Sequence, residues 1–179
     1  MSKLPAEIVA SALAVTTIFI GMVFHLPPWA IFITWAGTFA AGGPSASVLK
    51  KFFPTMVVGG IFACAIVMCF KVASQYFTGT PYILAECVIL FTLNATMMSL
   101  ARFFPALSFI PGMFFGFASF FATYFGKFGP VPGDPLFALA ASVSMNAVGP
   151  IYAWITANFG AHHHAPEESA QVRVREAVS

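Results

Sequence analysis

Phe109-Ile110-Pro111-Gly112-Met113-Phe114-Phe115-Gly116-Phe117-Ala118-Ser119-Phe120-Phe121-Ala122-Thr123-Tyr124-Phe125 carries no charge across its whole length. Read at helical periodicity, Gly112, Gly116, Ser119 and Thr123 share one face, at i, i+4, i+7 and i+11. Phe114, Phe115, Phe117, Phe120 and Phe121 cover the remainder. A helix that is apolar all round is a buried or membrane helix. In lipid, helices associate through close approach of small residues. The rest of the chain agrees with lipid as the solvent. Phenylalanine fills 22 of 179 positions, hydrophobic residues make up 59% and charged residues 8%, against roughly 25% charged in soluble domains. A soluble domain of this size leaves too much of its surface in water to hide that composition. The chain reads as an all-α, polytopic membrane helical bundle.

Working outward, a span needs about 20 mostly apolar residues to cross a ~30 Å hydrocarbon core. Six segments qualify or nearly qualify: 6–24, 28–41, 48–73, 80–100, 105–125 and 134–158. Pro28 suits the first turn of the second helix, and Thr80-Pro81 and Asp134-Pro135 read as a cap followed by proline. The second segment is short. Its roughly 14 helical residues rise only ~21 Å, so it crosses with local thinning, continues as a broken helix past Gly42-Gly43-Pro44, or re-enters. Charge favours crossing. Six spans place Lys3, Lys50, Lys51, Arg102, Arg173 and Arg175 on one side and only Lys71 and Lys127 on the other, which predicts six transmembrane helices with both termini cytoplasmic. The first segment lacks a small-residue cleavage site and is expected to stay as a membrane helix. Residues 1–159 form the transmembrane domain, and residues 160–179, with His162–His164, form a polar tail.

Small and polar residues mark the faces that matter. Thr34, Gly37, Thr38 and Ala41 group on the second helix, and Gly37, Gly59, Gly112 and Gly116 are the expected helix-packing positions. Thr92, Thr96 and Ser99 repeat at i, i+4, i+7 on the fourth helix, and Ser142, Asn146 and Gly149 do so on the sixth. A membrane Thr or Ser often bonds its own backbone. Asn94 and Asn146 say more, because an amide in hydrocarbon needs partners; interhelical bonding and solute contact both satisfy that need. Glu86 is the one acidic residue beyond the first turn of a span, two turns into the fourth helix. It fits either an outer vestibule or an interfacial carboxylate paired with Lys71 or His25. Phe52-Phe53-Pro54-Thr55-Met56-Val57-Val58-Gly59 resembles Phe109-Ile110-Pro111-Gly112-Met113-Phe114-Phe115-Gly116, 57 residues later. The match predicts two spans running in the same direction, each with a proline near its start.

Several chemistries are missing from the sequence. No Ser-His-Asp or Cys-His set lies at membrane depth, and Gly42-Gly43-Pro44 lacks the Lys-Ser/Thr of a phosphate loop. Cys64 and Cys69 do not have a metal-ligand spacing, and with Cys87 they read as small buried hydrophobes. No cofactor, metal, nucleic acid or catalytic step is expected.

Trp35-Ala36-Gly37-Thr38-Phe39-Ala40 with Gly42-Gly43 and Lys50-Lys51, together with Phe109–Gly116, resembles the YcdZ-like family of small bacterial inner-membrane proteins, a domain of unknown function. The resemblance covers residues 8–158 and is most specific in the F-[IV]-P-G-x-F-x-G segment. It implies a bacterial inner membrane and a compact multi-span fold, and supplies no catalytic residues. The second-helix motif here lacks the Cys of some relatives, which argues against a thiol role.

The expectation is a small-solute channel or transporter for a neutral polar molecule, a homo-oligomer in the lipid bilayer of the inner membrane. Thr34, Thr38, Asn94, Thr96 and Asn146 would line the path, with Glu86 at its outer mouth. The alternative is a non-transporting membrane subunit that packs against or anchors a larger membrane complex.

Overall fold

Six α-helices account for most of the computed structural model, which describes residues 4–161. Lys3, the histidines 162–164, Glu167, Arg173 and Arg175 lie outside the described residues. The helices are α1 (Ala6–Phe24), α2 (Pro28–Ala40), α3 (Ala46–Ala73), α4 (Gly79–Phe103), α5 (Ile110–Phe125) and α6 (Pro135–Phe159). A single 3-10 turn, Pro105–Leu107, precedes α5. Leu4–Pro5 (β1) and Gly160–Ala161 (β2) pair in parallel and tie the start of α1 to the end of α6. This is an all-α helical bundle, with α1, α3, α4 and α6 each long and apolar enough to cross a membrane.

Helix boundaries follow local chemistry. Asp134 caps α6 by accepting from the backbone N–H of Leu136 (2.8 Å) and Phe137 (3.1 Å), and Pro135 takes the first turn, where no donor is needed. Ser45 caps α3 through Val48 N–H. Two of the shifted sequence boundaries have a clear local cause. The fourth helix starts at Gly79 with Thr78 before it, one residue ahead of the Thr80-Pro81 pair. The fifth starts at Ile110 instead of Pro105, because residues 105–107 close their own 3-10 turn and Pro111 occupies the first turn of the helix that follows. That leaves α5 with 16 residues and α2 with 13, about 24 and 20 Å long.

Cross-contacts fix the directions. Phe52 meets Phe109, and a Cβ on Gly112 would strike Thr55 while one on Gly59 would strike the Met113 carbonyl. Further along, Ala63, Cys64 and Val67 cluster with Phe120. Both helices advance together, so α3 and α5 are parallel. The two segments that resemble each other in sequence therefore lie against each other. Their contact is reciprocal: Gly59 sits on Met113 and Gly116 sits on Met56. Each glycine removes the Cβ that would hold the two backbones apart. α2 and α6 form a second parallel pair, with Gly149 against Ile31, Thr34 and Trp35, and Trp35 edge-on to Tyr152 at 5.4 Å.

Successive helices alternate in direction. The starts of α1, α3 and α5 and the ends of α2, α4 and α6 share one end of the bundle, here the Lys50 end. The opposite end, the Lys71 end, is closed partly by Gly129 N–H donating to His25 O (2.9 Å) and by the His25 ring stacked on Phe128. α2, α3, α5 and α6 form the centre. α1 and α4 are peripheral: α4 buries only Met97 and α1 only Val9 and Thr17.

Candidate functional site

Charged and polar side chains are scarce enough that their grouping at one place is informative. At the Lys71 end, α3, α4 and α5 enclose a cavity of about 150 Å³ whose lining includes Lys71, Ser74, Tyr82, Glu86 and Tyr124. Each side chain arrives there for a local reason. Lys71 lies in the last turn of α3, where a cation complements the negative helix end. Tyr82 and Glu86 are four apart on α4 and therefore neighbours on one face, both lining the cavity. Tyr124 lies in the last turn of α5.

The ammonium is held to one side. Lys71 Nζ donates to Gly133 O at 3.0 Å and stands 5.6 Å over the Tyr124 ring, a cation–π geometry. Glu86 thus lines the same cavity as Lys71, while Lys71 spends a donor on the α5–α6 connection. His25 is elsewhere, against Phe128. The result is a half-buried carboxylate, two phenols, an ammonium and a hydroxyl around one small space: donors and acceptors together. Among the described residues no three His, Cys, Asp or Glu side chains gather to hold a metal ion.

The other residues singled out in the sequence divide into two sets. Thr34, Thr38 and Asn146 are buried in the centre. Thr34 Oγ1 donates to Ala30 O (2.9 Å), Thr38 Oγ1 to Thr34 O (2.6 Å), and Ser119 Oγ of α5 to Asn146 Oδ1 (2.9 Å). Gly149, one turn beyond Asn146, seats directly on Thr34. Gly37 faces Phe52 and Phe115 where α2, α3 and α5 meet.

Asn94 and Thr96 are on α4, which packs on α3 and α5 and not to any extent on α2 or α6. Thr96 is exposed and bonds Thr92 O at 2.8 Å. Asn94 Nδ2 reaches only Met98 Sδ (3.8 Å), and its Oδ1 is buried without a partner. A second, wider cavity of about 640 Å³ lies further along α4 at the Lys50 end, lined by Ser99, Arg102 and Ser108 among others. The structure therefore brings Glu86 together with Lys71, Tyr82 and Tyr124. It brings Thr34 together with Gly149, and leaves Asn94 and Thr96 apart from both groups.

Tyr82 was discoverable in the sequence as the i−4 neighbour of Glu86, the one carboxylate well inside a long apolar helix among the described residues. Tyr124 was not, because its approach depends on the α3–α5 crossing.

Long apolar helices, glycine-mediated crossings and a polar pocket at one end define a polytopic α-helical membrane protein. Residues 7–161 match the family described as "Protein of unknown function (DUF1097)", and the chain belongs to that family. No curated protein and no solved structure matches it.

Proposed function

We propose that this protein moves a small, neutral, hydrogen-bonding solute across a bacterial inner membrane, as a YcdZ-like member of its family. In this reading all six helices cross and the Lys50 end faces the cytoplasm, in keeping with the excess of Lys and Arg there. One observation carries the proposal: the cavity of Lys71, Ser74, Tyr82, Glu86 and Tyr124, in a chain with only six acidic residues in all. An ionisable group held within a span is a functional position by default. Paired donors and acceptors suit an uncharged polar molecule better than a bare ion.

The onward route follows α4. Asn94, with an unpartnered buried oxygen, lies between the Glu86 cavity and the wider one at Ser99 and Arg102. Passage there asks only that one loosely packed helix shift. Passage past Thr34, Thr38 and Asn146 requires α2 and α6 to separate at Gly149. The test is flux into proteoliposomes across a panel of small polar solutes. Uptake above empty vesicles that falls at least tenfold in Glu86→Ala supports the reading; no uptake of any solute refutes it.

A second reading rests on the exposed side of α4, where Phe91 is 77% and Val88 64% exposed. A non-transporting subunit, or one protomer of a homo-oligomer, would cover that side with protein. Size analysis in native detergent separates these cases: unrelated chains that co-purify indicate the subunit, and a multiple of the chain mass indicates the homo-oligomer.

A further inference from the structure

We propose that the Lys50 end carries a binding site for one anionic phospholipid, with an acyl chain in a cavity between α3 and α6 and its phosphate on Lys50 and Lys51. The cavity measures about 420 Å³, within the roughly 300–1,000 Å³ of small-ligand sites. Leu49 and Phe53 of α3, Ala147, Ile151 and Trp154 of α6, and Pro44 of the α2–α3 connection line it. Every one of these side chains is apolar or amphipathic. Water finds no hydrogen-bond partners in such a space, so a hydrocarbon chain is the fitting occupant.

The headgroup side is as specific as the tail side. Lys50 shares a turn with Leu49 and is exposed. Lys51, also exposed, lines a smaller neighbouring cavity of about 120 Å³ with Ser47 and Val48. Both lysines sit in the first turns of α3, whose positive end favours an anion. Among the described residues the one carboxylate at this end is Glu7, and α1 packs on α2 and α6 rather than on α3. Among the described residues, then, neither ammonium has a carboxylate beside it on α3 or its neighbours, and both are open to an anionic headgroup. Trp154 is half-exposed, suited to the headgroup boundary where indoles collect. Basic pockets between membrane helices hold anionic headgroups by this combination of charge and apolar cleft.

The proposal is independent of any transported solute. It is tested by native mass spectrometry of the full chain titrated with palmitoyl-oleoyl-phosphatidylglycerol and with phosphatidylcholine of the same chains. The expected result is one phosphatidylglycerol retained at roughly 25-fold lower concentration than phosphatidylcholine. Replacing both lysines (Lys50→Gln with Lys51→Gln) removes that preference, by roughly fivefold for each charge. Ile151→Asn, at an exposed position, lowers retention of the first lipid with either headgroup. Circular dichroism confirms that both variants remain helical. Equal retention of the two lipids by the natural sequence overturns the proposal, as does unchanged phosphatidylglycerol retention in either folded variant.

Discussion

Replacing Gly116 with Ala adds a single methyl group where α3 and α5 are closest. A Cβ there would stand 2.7 Å from the Met56 carbonyl carbon and 3.0 Å from Gly60 N. Ordinary contact begins near 3.4 Å, and both obstacles are backbone, so no rotamer change relieves them. Nearer still is the Met56 carbonyl oxygen, which the Cβ would overlap; the helices must part by more than about 1 Å, and a gap of that size forfeits about half or more of each dispersion contact along the seam. The strain and lost packing cost about 2–3 kcal/mol. Alanine returns about 1 kcal/mol as the better helix former, leaving a net loss of about 1–2 kcal/mol. Gly21→Ala is the control. Its Cβ would meet only the Pro28 ring, at 3.4 and 3.5 Å apart from one carbonyl oxygen at 3.9 Å, so it should be neutral or stabilising. Reversible unfolding in mixed micelles, followed by circular dichroism, measures both. If Gly116→Ala proves as stable as Gly21→Ala, the glycine contact does not hold α3 to α5 and the reasoning fails.

Removing the hydroxyl in Ser119→Ala leaves Asn146 Oδ1 without its donor in the centre, for a loss of about 0.6–1.7 kcal/mol by the range seen in membrane helices; a double-mutant cycle with Asn146→Leu measures the coupling. Asp134→Ala removes both cap bonds of α6 and should cost about 1 kcal/mol in the same unfolding assay, with Asp134→Asn retaining most of it. In the flux assay, Tyr82→Phe should reduce uptake while the unfolding free energy stays within about 0.5 kcal/mol of the unsubstituted protein, as for a substitution outside the packed centre. A fall in both together would make Tyr82 a structural residue.

The membrane class and the six helices were legible because a long uncharged run has few other solutions. Which helices are central was not. α4 is nearly as apolar as α3, yet α4 is peripheral and α3 central. Hydrophobicity cannot distinguish a lipid-facing side chain from one facing another helix, since both surroundings are hydrocarbon. Small residues do distinguish them. Gly59, Gly60, Gly112, Gly116 and Gly149 all lie at crossings, whereas α4 has no glycine after its first residue. The two amides illustrate the limit. Asn94, off the Thr92–Thr96–Ser99 stripe, and Asn146, within the Ser142–Gly149 stripe, are both amides well inside a helix, but Asn146 meets Ser119 and Asn94 meets no hydroxyl, because partnering depends on which helices adjoin. The grouping around Glu86 was half visible for the same reason: Tyr82 is local, while Lys71 and Tyr124 come from other helices.

The parallel pairing of α2 with α6 also bears on how the chain is made. α2 is too short to span comfortably alone and carries Thr34 and Thr38 on the face that Gly149 covers. Its partner, α6, leaves the ribosome after the other five described helices. Through most of synthesis α2 has its eventual packing face open to lipid or to the insertion machinery, and domains built N-terminal first are exposed in this interval. Completion of α6 is therefore the committing step in biogenesis, and a nascent chain stalled before Pro135 should be a preferred target of membrane quality control.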